Sequence, residues 1–147
     1  MVEMPQLIKH LELIQNVIIR MADNSFALKR WSVLLLTAVI AFSWRFDTDG
    51  VLILLALFPV LVFWVLDGYF LWQERLYRHL YDKTRQEKET DFSMDVTEFK
   101  RLSTWRRACL STTLVIFYGL LATLALGLFL TNKYFGGQYN AQSILQF

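Results

Sequence analysis

Apolar and polar positions alternate between two regimes along this chain. From residue 5 to 29 the large apolar residues Leu7, Leu11, Ile14, Ile18, Met21 and Phe26 recur at near-helical spacing, with Lys9, Glu12, Asn16, Arg20 and Asp23 between them. That pattern predicts an amphipathic helix, and Pro5 suits its first turn, where a missing N–H costs nothing. The pattern then changes to unbroken apolar runs. Trp31–Trp44, Val51–Leu66 and residues 108–132 carry no charged side chain, and the second run resumes past Asp67 as far as Trp72. A helix needs about 20 residues to cross a hydrocarbon core of roughly 30 Å. Lipid leaves the backbone to satisfy its own hydrogen bonds, so such runs are read as helices.

The expected fold is all-α: a membrane protein with three transmembrane helices, an N-terminal amphipathic helix and a cytoplasmic helical extension. Its parts are the amphipathic helix in 1–30, a hairpin of two spans in 26–73, a cytoplasmic segment in 74–107, a third span in 108–132 and an extracytoplasmic tail in 133–147. The first span is short unless it runs from Phe26 to Phe46, with Lys29, Arg30 and Arg45 snorkelling to the interfaces. A re-entrant hairpin with the second segment is the alternative. Asn24-Ser25 is a candidate kink or N-cap before that span, and the turn Asp47-Thr48-Asp49-Gly50 suits a tight connection between antiparallel helices.

After Trp72 the apolar residues Leu76, Tyr77, Leu80 and Tyr81 lie on one stripe, with Glu74, Arg75, Arg78, Asp82 and Lys83 on the other face. The second helix is therefore expected to leave the membrane and to need a partner for that stripe. The amino-terminal helix, of the same chain or a neighbour, is the candidate. Residues 82–91 lack any apolar position and read as a solvated helix end and loop. Asp95 with Glu98 fits an N-cap pattern, followed by a short amphipathic helix carrying Val96, Phe99 and Leu102.

Charge orients these elements. The segment 74–107 holds nine Lys and Arg, and the tail after the third span holds only Lys133. Basic residues collect on the cytoplasmic side, which places the amino terminus inside and the carboxyl terminus outside. Trp31, Trp72 and Trp105 then fall at the cytoplasmic boundary, where indoles prefer to sit. The first 30 residues do not read as a secretory signal peptide. The single cysteine, Cys109, excludes an intramolecular disulfide. It reads as a buried small residue, with acylation as the alternative.

Phosphate loops, paired metal ligands and nucleophile–base motifs are absent from the sequence, so neither a cofactor, nor nucleic-acid binding, nor catalysis is expected. His10 and His79 are isolated and read as surface residues. Asp67 stands out, because an ionisable group within a span points into a bundle or an aqueous cavity. It is expected to pair with Arg30, Arg106 or Arg107, or else to line an ion path. Pro59 and Gly68 on the same helix are candidate hinge positions: Pro59 should kink it, and Gly68 permits close approach beside the aspartate. Gly119, Thr123, Gly127 and Thr131 recur every four residues on the third span. Small residues at that spacing predict helix–helix packing, here assigned to a homo-oligomer.

Asn24, Ser25 and Phe26, with Asp67, Tyr69, Gln73, Glu74, Arg75 and Leu76, give the chain a resemblance to a group of small uncharacterised bacterial inner-membrane proteins. These pair an Asn-Ser-Phe stretch before the first span with Asp-Xaa-Tyr and Gln-Glu-Arg-Leu after the second, and the similarity covers about half of the chain. Such proteins resemble membrane effectors of anti-phage defence systems. The resemblance implies an oligomeric inner-membrane effector that permeabilises or depolarises the membrane under a cytoplasmic protein partner. A membrane anchor or scaffold recruiting a soluble partner is the alternative.

Overall fold

A computed structural model describes residues 4–45, 51–87 and 89–144, and among them every regular element is helical. Helix α1 runs Met4–Arg45, α2 Val51–Leu55 and α3 Leu57–Thr84. A 3-10 turn at Thr97–Arg101 and the short α4, Trp105–Cys109, lead to α5, Thr112–Ile144. Three helical stretches, Pro5–Ser43, Leu52–Thr84 and Thr112–Lys133, are long and apolar enough to cross a membrane. The turn expected at 47–50 lies outside the described residues.

Three sequence expectations about helix ends are corrected. Asn24-Ser25 neither kinks nor starts a helix, because α1 passes through both without interruption. Serine destabilises a helix interior when its hydroxyl competes for backbone groups, but here the hydroxyl of Ser25 is committed to Asp67. The third long helix begins at Thr112, not at residue 108. Leu110 and Ser111 break it from α4, whose last turn tightens through Ser111 N–H to Ala108 O at 3.0 Å. Similarly, Asp95 does not cap a helix. The N-cap residue of the 3-10 turn is Val96, while the Asp95 carboxylate accepts the Thr97 N–H at 2.9 Å and its hydroxyl at 2.8 Å.

The interruption between α2 and α3 falls at Ala56. Pro59 explains its place. A proline offers no N–H to the carbonyl four residues back, and its ring crowds that carbonyl, here Leu55. The neighbouring bond from Val60 N–H to Ala56 O is stretched to 3.4 Å. Gly68, by contrast, sits inside the unbroken α3.

The chain divides into two units, Met1–Leu28 with Val65–Ser111 and Lys29–Trp64 with Thr112–Phe147. The first has a core of Ile14, Ile18, Leu76, Leu80 and Phe99, flanked by Trp72, Tyr77, Tyr81, Met94 and Val96. The stripe that α3 carries past Trp72 is thus covered by α1 of the same chain. Burying each such aliphatic side chain stabilises by about 1.5–3 kcal/mol relative to exposure in water. The second unit packs Leu36, Ile53, Ala56 and Ala125, with α2 lying on α5. Tyr118 is buried there, stacked on Trp64 at 6.2 Å and donating its hydroxyl to Phe63 O at 3.4 Å. The outer surface of this unit is apolar, with Phe58, Leu61, Ile116 and Leu120 all more than half exposed, as a lipid-facing surface should be.

Gly68 lies in close contact with α4. A Cβ built there would meet Cys109 Sγ at 2.2 Å and the Cys109 Cα at 3.1 Å. Gly68→Ala is therefore expected to lower stability by about 1–3 kcal/mol, the usual cost of overpacking. Cys109→Ala should recover part of that loss, since it removes the sulfur but not the backbone contact. Thermal unfolding of the purified protein in detergent checks both; a Gly68→Ala protein as stable as the parent contradicts the packing.

Candidate functional site

The stripe that α1 buries in the first unit is built from His10, Ile14, Ile18 and Ser25, spaced four, four and seven residues apart. That is one helical face, and its two ends are polar. Each polar end defines a site.

At one end Ser25 donates its hydroxyl to Asp67 Oδ1. Asp67 retains no exposed surface. The following residue, Gly68, lies against Cys109, so α1, α3 and α4 converge here. Arg106 and Arg107 are exposed on α4 and make no ion pair with Asp67, which corrects the expectation for those two. Arg30 belongs to the second unit. The sequence reading missed Ser25 as a partner. Its position seven residues past Ile18, in register with the buried stripe, was the available signal. The hydrogen bond from Ser25 fastens α1 to α3 at this point.

At the other end the expectation of a surface His10 is overturned, because His10 is only 2 % exposed. Its Nε2 lies 3.1 Å from Ser93 O and its Nδ1 is hydrogen-bonded to the Thr90 hydroxyl. A carbonyl only accepts, so Nε2 carries the hydrogen and donates; in the neutral ring Nδ1 accepts from Thr90. The Phe92 ring packs on the imidazole with centroids 5.4 Å apart. Phe92 takes a left-handed backbone, φ 56°, and its N–H donates to Thr90 Oγ1 at 3.2 Å. His10 thus clips the polar segment after α3 onto α1. Spacing again held the signal: His10 precedes Ile14 by one turn. His79, half-buried, stacks on Phe99 at 5.9 Å.

Beside His10 opens a cleft of about 470 Å³ with Lys83, Glu87, Glu89, Asp91, Asp95 and Glu98 among its walls. Lys83 pairs with Glu98 at 2.8 Å, both half exposed, a contact worth little in water. The Asp95 carboxyl is held below the usual carboxylate range by the Thr97 backbone N–H first and its hydroxyl second. Among the described residues no three of His, Cys, Asp and Glu converge to hold a metal ion.

On α5, Gly119, Thr123, Gly127 and Thr131 share a face, and among the described residues neither glycine has a close neighbour. A Cβ at Gly119 or Gly127 would meet nothing within 4 Å. Thr123 and Thr131 donate to Leu120 O at 3.0 Å and Leu128 O at 2.9 Å, so their hydroxyls are satisfied within the helix.

The chain matches no protein-family model, no curated protein and no solved structure. What it does must be argued from its own geometry.

The fastening at Asp67 has a measurable energy. Ser25→Ala leaves a buried carboxylate short of a donor, and about 1–3 kcal/mol of stability should be lost. The same change made in an Asp67→Asn background should cost less by at least about 0.5 kcal/mol, the coupling expected of side chains in contact. Equal costs in the two backgrounds, measured by unfolding in detergent, would mean the contact carries no energy.

Proposed function

We propose that this chain is a non-enzymatic effector of the bacterial inner membrane that associates through α5 with further copies of itself and permeabilises or depolarises the membrane. In this reading a cytoplasmic protein partner controls it, the amino terminus and residues 74–107 lie in the cytoplasm, and the carboxyl terminus lies outside. Anti-phage defence is the setting to which the sequence resemblance points.

The observation that carries the proposal is the open small-residue face of α5. Helices in lipid gain little from apolar contact as such and associate through close packing, which small residues permit. Three spans are too few to enclose a channel, so a conducting path would need several copies. The burial of Asp67 against Ser25 argues that this carboxylate holds the subunit together, and that a path would form between subunits elsewhere.

The second reading is an anchor that recruits a soluble protein. The acid-rich cleft beside His10 favours it, because such a surface suits a basic partner.

One experiment separates the two. Overproduction of the wild-type chain in a bacterial host should collapse the membrane potential and admit an impermeant dye. Gly119→Leu with Gly127→Leu should abolish both effects and reduce the size of the purified particle. Among the described residues nothing lies within 4 Å of a Cβ at either position, so the subunit itself should keep its fold. An intact potential and an excluded dye in the wild type would favour the anchor. Unchanged leakage in the double variant would place the interface elsewhere.

A further inference from the structure

The segment between the 3-10 turn and α5 has two unlike sides. Its inward side is fixed to the first unit. Phe99 belongs to the core, Ser103 and Ala108 are buried, and Trp72 donates its indole N–H to Ser103 O at 2.8 Å. Cys109 is wedged against Gly68. Its outward side presents Arg101, Leu102, Trp105, Arg106, Arg107 and Leu110, all exposed, with Leu102 at 64 % and Leu110 at 70 %. None of the three arginines forms a salt bridge among the described residues. Two residues past Leu110 the apolar stretch Thr112–Lys133 begins.

We propose that this outward face binds the headgroups of anionic phospholipids. Three features fit that ligand. Guanidinium groups free of carboxylates are available to phosphate, which they bind through paired N–H donors. An exposed indole between them matches the level at which tryptophan settles in a bilayer. Leucines that are uncovered in water gain burial when they dip into the acyl boundary while the cations remain among the headgroups. The face is continuous in sequence with a membrane-crossing helix, so lipid is the partner always within reach. It is also distinct from the acid-lined cleft, whose carboxylates would repel the same headgroups. The buried backing sets this segment apart from a tail that merely follows its charge: the backbone carrying the arginines is anchored before lipid arrives. The inference does not depend on self-association or on leakage.

The test uses the purified full-length protein in mixed micelles with spin-labelled phosphatidylglycerol or phosphatidylcholine. Electron spin resonance reports the fraction of each lipid immobilised on the protein. The wild type should immobilise phosphatidylglycerol several-fold more strongly than phosphatidylcholine, each arginine near a headgroup contributing up to roughly fivefold. That preference should shrink as salt is raised. Replacing Arg101, Arg106 and Arg107 together by Gln should bring it close to one, while the triple Lys variant should retain much of it. Equal immobilisation of the two lipids by the wild type, a salt-independent preference, or a preference kept by the Gln variant would each overturn the proposal. The salt titration needs no mutant, so it decides even if the Gln variant does not fold.

Discussion

A carboxylate inside an apolar span must be taken out of lipid, and the first unit is organised around doing so. Asp67 costs at least about 2.5 kcal/mol at the centre of a membrane helix when left to itself. The contact with Ser25 offsets part of that and imposes conditions on everything nearby. Helix α1 must run straight through Asn24-Ser25, because a break there would rotate Ser25 off the face that carries Ile14 and Ile18. The next residue of α3 must be glycine, because Cys109 approaches closer than any Cβ allows. And the stripe beyond Trp72 must meet α1, since the two helices are already held together one end further along.

The two units bury their elements by different means. The first has a core of branched aliphatics and aromatics, a buried histidine and polar loops tied down by side chains, as in a protein built for water. The second relies on alanines at its contacts and leaves large apolar residues outside, as suits lipid, where apolar contact between helices carries little driving force. An effector or an anchor needs both a part that remains in the bilayer and a part that a soluble protein can reach. The α5 face and the acid-rich cleft lie in the units suited to each.

Much of this was legible in the sequence. Charge-free runs located the spans, and the stripe Leu76, Tyr77, Leu80, Tyr81 announced both the extension of α3 and its need for α1. What stayed hidden depended on side chains that break the apolar rule. His10 and Ser25 are polar, so a search for apolar periodicity passed over them, although both are in register with Ile14 and Ile18. The search for a partner for Asp67 looked to arginines because opposite charges attract. Arg106 and Arg107 are instead exposed, and a neutral hydroxyl, that of Ser25, donates to the carboxylate. The start of α5 was misplaced because residues 108–111 carry no charge, like the helix that follows, so the break at Leu110 and Ser111 leaves no mark in the hydropathy.

The central claim is that α1 and α3 are partners within one chain, joined at Ser25 and Asp67. Thiol cross-linking in native membranes tests it most directly. In a Cys109→Ala background, a chain carrying both Ser25→Cys and Asp67→Cys should react with a short bifunctional thiol reagent and shift in mobility as a monomer. Chains carrying one substitution each, produced together, should give no mixed dimer. A mixed dimer without the intramolecular product would show that α1 serves a neighbouring copy, and would contradict the account.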